Sequence, residues 1–268
     1  MITIKEFPDK AFADKNEMFT AIKENKQALI AAKKMQTKFT DAIYFSPQVI
    51  VRGETIKAIN PDEVDNIKVK VVINTTNLID SHSDVHIDGI WNKSVKEKKN
   101  LYLIQEHQMK FTNIISDDVK ASVEKTTFDA LKVGLKGSTE ALVFETTIQK
   151  NRNAFMFDQY AKGFVKNHSV GMRYVSMELA LNSDVEHDKE EKAVWDKYID
   201  RVANREEAEE KGYFWAVTEA KIIEGSAVPI GSNWATPTIS TEAVSDTSKT
   251  EPPRGTQTNK VKFINLKN

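Results

Sequence analysis

The sequence predicts an α+β fold that is mainly β, preceded by a helical arm. Three observations lead there. Short runs of alternating apolar and polar residues recur between about 66 and 223, only a few segments keep helical spacing, and no strand–helix–strand rhythm repeats. The 268 residues, 40% hydrophobic, allow one large domain or two small ones and are ample for a buried core.

Asp14 followed by Glu17 has the form of a capping box and opens a helix over 14–37. Met18, Phe19, Ile22, Leu29 and Ile30 fall near one face, with lysines around the rest. Two readings of this arm stand side by side: a helix that docks on a partner, and a helix packed on its own domain. From about 48 the period changes. Ile67, Val69, Val71 and Ile73 alternate with polar neighbours up to Val72, which marks a strand. Segments 101–107, 119–125, 131–135 and 141–148 read as further short strands, and 169–181 and 213–223 as longer ones. Two helical patterns interrupt them. Over 153–166, Phe157, Tyr160, Ala161 and Phe164 keep the i, i+3, i+4, i+7 spacing. Over 185–211, Val194, Trp195, Tyr198, Ile199 and Val202 form an apolar stripe in a very charged helix that ends at Gly212.

Beyond about 240 the chain is rich in Ser, Thr and Pro, a composition that predicts disorder. Residues 261–266 regain some alternation, as a terminal strand or a short docking peptide would. The predicted organisation is a helical arm over 1–45, a strand-rich domain over 46–240 with a charged helical insertion at 185–211, and a flexible tail over 241–268.

Composition narrows the function. With 38 basic and 39 acidic residues the net charge is −1, which excludes the strong positive field of a nonspecific nucleic-acid binder. Six arginines against 32 lysines also leave few rigid forks for gripping phosphates. The absence of cysteine excludes disulfides, thiol catalysis and thiolate-held metal clusters, and it fits an intracellular protein. No run approaches 18 apolar residues and the first five residues open no signal peptide, so the expectation is a soluble chain with no membrane partner.

The five histidines are His82, His86, His107, His168 and His187. On a strand, His82, Asp84 and His86 would project from one face, as two imidazoles and a carboxylate holding a divalent metal do. The Ser- and Asp-rich surroundings before Gly89 suit a polar loop better, so no metal is expected. His187 lies in an exposed charge run. There is no G-x-S-x-G elbow, no H-E-x-x-H and no Gly-rich phosphate loop. An S-x-x-K match at Ser122–Lys125 falls on a strand, where positions i and i+3 face opposite ways. What remains is a set of three strand ends. One apolar run ends at His107, a strand begins at Ser169, and another ends at Glu224. A serine, a histidine and a carboxylate from separate strands are the parts of a serine-hydrolase triad.

At these blocks the sequence resembles the prohead proteases of tailed bacteriophages, the serine enzymes that mature viral capsids. The segment Asp84-Val85-His86-Ile87-Asp88-Gly89-Ile90-Trp91 is similar to the family's opening motif, and Leu103-Ile104-Gln105-Glu106-His107 to its apolar run ending in the catalytic histidine. Asn167-His168-Ser169-Val170-Gly171-Met172 is similar to the family's g-L-S-I-G-F, where the serine is the nucleophile. The stretch from Ile223-Glu224-Gly225-Ser226 to Asn233 resembles its E-V-S-x-V-x-x-P-A-N. The four motifs keep their order over roughly 66–238. His168 departs from the usual Leu or Phe, Asp88 from a frequent Pro, and Gln108 from the Asp that often follows the histidine. Pro229-Ile230-Gly231-Ser232-Asn233 alters the Pro-Ala-Asn element. His168 is a rival base to His107, but neighbours on a strand face opposite ways, which favours His107.

The resemblance implies an assemblin-like β-barrel with surrounding helices. It implies a serine endopeptidase with Ser169 as nucleophile, His107 as general base and Glu224 orienting the histidine, and no cofactor. Its substrates would be the major capsid protein, the scaffold and the chain itself, inside the assembling prohead in the host cytoplasm, with self-association and cleavage of the tail as further expectations. The alternative is a catalytically inactive, capsid-associated scaffold or structural protein that keeps a protease-like fold.

Overall fold

The computed structural model describes residues 1–35, 58–97 and 100–244. The boundary expected at 45/46, the tail from 245 onward and the short strand expected at 261–266 lie outside the described residues.

An N-terminal hairpin of β1 (Ile2–Ile4) and β2 (Phe7–Phe12) leads into α1 (Lys15–Glu24) and α2 (Lys26–Met35). The capping box forms at the start of α1: Glu17 N–H donates to Asp14 Oδ1 at 2.9 Å, and Ala13 N–H donates back to Glu17 Oε2 at 2.8 Å. The single helix expected over 14–37 is two, divided at Asn25, whose side-chain amide donates to Ala21 O. Met18, Phe19, Ala21 and Ile22 of α1 lie in the main core of the protein, and Leu29 and Ile30 of α2 pack against it. In its described part the arm is therefore packed on its own domain.

Two larger sheets follow, with more strand than helix in the chain. One is built on the long β10 (Tyr213–Val228). It pairs antiparallel with β9 (Asn167–Leu181) from Tyr213↔Leu181 to Val228↔Asn167. Its other edge carries two short parallel strands, β4 (Asp84–His86) and β5 (Leu103–Gln105), and β6 (Ile114–Ser116) pairs with β5. The second sheet runs β11 (Thr238–Ala243), β3 (Asn66–Thr75), β8 (Ser138–Gln149), β7 (Val119–Thr127). Both sheets turn apolar side chains into one core: Val69, Val71, Ile73 and Phe144 from the second meet Val170, Met172, Trp215 and Ile222 from the first. The period-2 pattern of β3 is the cause, since it sends Ile67, Val69 and Val71 to one face while Lys68 stays exposed. Among the described residues the sheets do not close into a barrel.

Helices cover the rest: α3 (Asn92–Glu97), α4 (Ala154–Ala161), α5 (Lys189–Tyr198) and α6 (Arg205–Lys211). The charged helix expected over 185–211 is broken into α5 and α6 with tighter turns at Glu186–Asp188 and Ile199–Arg201. Its apolar stripe does what the pattern asks: Trp195, Tyr198, Ile199 and Val202 pack on Phe214, Ala216 and Val85. Gly212 ends α6 at φ +77, with its N–H on Ala208 O.

Two expectations need correction. Segment 131–135 is a turn between β7 and β8 and forms no strand. Its apolar residues cap instead: Leu131 covers Val72, Ala141 and Val143 on the outer face of the second sheet, while Val133 packs with Phe128 and Ala235. The tail does not begin at 241, because β11 runs to Ala243, paired with Ile67. Among the described residues no helix is long and apolar enough to cross a membrane.

A buried ion pair fastens α2 to the first sheet. Lys33 Nζ lies 2.6 Å from Asp84 Oδ1 and 3.6 Å from Glu6 Oε1, and Tyr174 OH donates to Asp84 Oδ2 at 2.7 Å. Burial opposes the lysine's charge, but Asp84 and Glu6 outweigh it and hold its pKa above the usual lysine value. Lys33→Met should therefore lower unfolding stability by about 3 kcal/mol, read by urea melts at neutral pH, because Asp84 then stays buried without its ammonium.

Candidate active site

The register of β9 on β10 assembles the site. Ser226 stands opposite Ser169, and Glu224 opposite Gly171. Directly opposed residues of an antiparallel pair share a face, with Cα atoms about 4.5–5.5 Å apart, and so do residues two apart on one strand. Ser169, Gly171, Glu224 and Ser226 therefore line one face at one end of the pair. On the other edge of β10, β5 runs parallel with Ile104 beside Ser226 and Gln105 beside Ala227, which delivers His107 to the same end.

His107 sits in a tight turn just beyond β5. Glu106 and His107 have φ +52 and +56, a left-handed conformation that costs non-glycine residues roughly 1–3 kcal/mol each. Three bonds hold it: Glu106 N–H to Ala227 O, His107 N–H to Ser226 Oγ, and Gln108 N–H to Gln105 O, each 3.0 Å. The turn aims the imidazole at Glu224, and Nδ1–H donates to Oε1 at 2.6 Å. The other carboxylate oxygen, Oε2, accepts from Ser226 Oγ–H at 2.8 Å. Glu224 and Ser226 are buried, and the His107 side chain is 6% exposed. With Nδ1 committed to the carboxylate, Nε2 is the basic nitrogen of this tautomer. Gly171 makes room for the arrangement: a Cβ on residue 171 would run into Glu224 Oε1 and Cδ.

Of the three residues expected to act together, His107 and Glu224 meet directly at 2.6 Å, and Ser169 is set by register on the face of the strand pair that carries Glu224. Ser226 was not singled out as a participant. Its signal was present, since Glu224 and Ser226 are two apart on a strand and must share a face.

The rival base is accounted for elsewhere. His168 points to the opposite face and is fully buried, with Nδ1–H donating to Thr236 O at 3.1 Å and Nε2 accepting from Tyr160 OH at 2.9 Å. Burial lowers its pKa to about 4, which the Thr236 carbonyl only partly opposes. A depressed folded-state pKa means stability that is fully present above pH 6.5 and lost as pH falls toward 4. His168 should account for about 3 kcal/mol of that acid loss, at 1.36 kcal/mol per unit. Chemical melts at pH 7.5 and 4.5 should show a smaller drop for His168→Gln than for the wild type.

The loop suspected as a metal centre is knitted into the fold. His86 Nδ1 lies 3.0 Å from Asn74 Oδ1 and its Nε2 3.2 Å from Tyr174 OH, the hydroxyl that also holds Asp84. His82 N–H and Asp84 N–H both donate to Asp80 Oδ1, which shapes a turn. Among the described residues no three His, Asp or Glu side chains gather as a metal site. His187 is exposed. Ser122 and Lys125 lie on β7 in the second sheet, opposite Val143 and Glu140 of β8.

A cleft of about 410 Å³ is lined by neighbours of the candidate residues: Glu106 before His107, Asn167 at the start of β9, and Val228 and Pro229 after Ser226. A larger one, about 930 Å³, lies between the N-terminal hairpin and α6, and neither cleft is lined by Ser169, His107 or Glu224 themselves. In comparisons with known proteins, the chain matches no family model, no curated protein and no solved structure.

Proposed function

We propose that the protein is a serine endopeptidase that cleaves capsid and scaffold polypeptides, and its own chain, as a tailed-phage prohead matures. The observation that carries the reading is the 2.6 Å bond from His107 Nδ1 to Glu224 Oε1 on the sheet face that also bears Ser169. In the proposed reaction His107 Nε2 takes the proton of Ser169 Oγ as the oxygen bonds to the scissile carbonyl carbon. The tetrahedral intermediate collapses, the C–N bond breaks, and His107 gives that proton to the leaving amine. Water then attacks the acyl-serine ester, His107 accepts its proton, and the proton returns to Ser169 as the acid product leaves. Glu224 keeps Nδ1 protonated throughout and offsets the charge of the imidazolium. The left-handed turn at Glu106 and His107 supports the reading too, since backbone strain of this kind collects at functional sites.

The assemblin-like barrel belongs to the same proposal. Two links between the sheets support it: Asn167 bridges to Pro237, whose carbonyl accepts from Val72 N–H at 2.9 Å, and Ser116 Oγ lies 2.7 Å from Thr146 Oγ1. The proposed setting is the interior of the assembling prohead in the host cytoplasm, with capsid protein and scaffold as partners.

Intact-mass analysis of the wild-type chain beside Ser169→Ala, each incubated with its own capsid protein in assembling proheads, tests the reading. Trimming by the wild type alone is expected. Absence of trimming by both would favour an inactive structural protein, and trimming by both would move the nucleophile elsewhere.

A further inference from the structure

The cleft of about 410 Å³ has an unusual rim. Phe155 and Phe164 line it and are 62% and 63% exposed, on the two ends of the segment that contains α4. Phe111, 88% exposed, stands on the next loop, which is tied to the cap of α4 by the bond from Asn153 Nδ2 to Thr112 O. Exposed large apolar side chains scattered singly need no explanation, whereas a group of them around a cleft marks a contact surface.

The cleft's position relative to Ser169 says what it would contact. Asn167 and Val228 line it and face each other in the register, one strand repeat beyond the Ser169–Ser226 pair and on the same face. Two residues of strand span about 7 Å, which is also the spacing between same-face side chains of an extended peptide. A peptide lying extended with its scissile carbonyl at Ser169 therefore brings the side chain one or two residues away to the mouth of the cleft. The charges at the rim, Glu106 and Lys166, are of opposite sign, so the cleft has no net charge to select an ionic side chain.

We infer that this cleft is a specificity subsite that takes a large apolar side chain next to the scissile bond of an extended polypeptide substrate, with Phe155 and Phe164 as its contacts. The inference rests on the hydrolase reading, because the peptide's path is measured from Ser169.

Binding separates the two. Fluorescein-labelled ten-residue peptides of Gly-Ser background, carrying either Leu-Phe or Ser-Asn at the centre, are titrated against Ser169→Ala and followed by anisotropy. The Leu-Phe peptide should bind at least about ten-fold more tightly, a difference of about 1.4 kcal/mol. Adding Phe155→Ser and Phe164→Ser should abolish the difference without changing the melting temperature, since both side chains are largely exposed. In the Ser169-intact background the same pair should leave labelling by a small fluorophosphonate unchanged, because that probe does not reach the cleft. Equal binding of the two peptides, or discrimination that survives the double substitution, would overturn the subsite. So would a wild-type dimer in sedimentation that the double substitution dissolves, because the rim would then be a contact between copies. Failed labelling with peptide discrimination intact would strike the hydrolase reading and uphold the cleft as a peptide-binding site.

Discussion

Glu224→Gln should leave the protein folded and lower kcat/KM on a cleaved peptide by about 10³–10⁴-fold. Both oxygens of this carboxylate are in use, one on His107 Nδ1 and one on Ser226 Oγ, within a buried site. An amide of the same shape fills the space but offers one acceptor where two are needed. If its NH₂ faces His107, the imidazole must carry its proton on Nε2 and no longer serves as base. If its carbonyl faces His107, the tautomer survives and the imidazolium loses its counter-charge. Either way the loss falls on the transition state, so kcat should drop while KM changes little. Ser226→Ala removes the link between the carboxylate and the His107 N–H, and a smaller loss of about 10-fold is expected from it.

Gly171→Ala is expected to cost at least about a thousand-fold in kcat/KM, although residue 171 has no side chain of its own to take part in the chemistry. The new methyl group occupies the place of Glu224 Oε1 and crowds Cδ, so the carboxylate must swing away from His107. Overpacking of this kind also lowers stability, by roughly 1–3 kcal/mol. A second substitution tells steric displacement from general damage. Glu224→Asp shortens the side chain by one methylene, so the Gly171→Ala/Glu224→Asp protein should regain most of the lost melting temperature and none of the activity. Recovery of neither would mean that Gly171 does not act through the carboxylate.

Much of this was legible in the sequence because it rests on local periodicity. The alternation of β3, the long runs of β9 and β10, the Asp14–Glu17 cap and the stripe on α5 each follow from spacing alone. The candidate site was legible for a related reason: a strand ending at His107, one starting at Ser169 and one carrying Glu224 are each local patterns. The pairing of Ser226 with Ser169 and of Glu224 with Gly171 is set by register, a long-range property that no single strand records. The turn at 131–135 was misread because its apolar residues cover the outer face of a sheet, where burial demands apolar character without strand geometry. β11 was missed because Thr238–Ala243 has little apolar character and is held by backbone pairing at the edge of β3. Lys33 reads as one solvated lysine among many, and the carboxylates that partner it in the core, Asp84 and Glu6, are brought to it by the fold from distant positions.

The measurement that bears most directly on the central claim is peptide mapping by mass spectrometry after treatment with a fluorophosphonate, of wild type, His107→Ala and Glu224→Gln, both free and in assembled proheads. A single adduct on Ser169 in the wild type, formed far more slowly in both variants, is the result predicted if the three side chains work as one unit. Labelling of Ser169 at the same rate in all three, or an adduct on another serine that depends on His107, would contradict it.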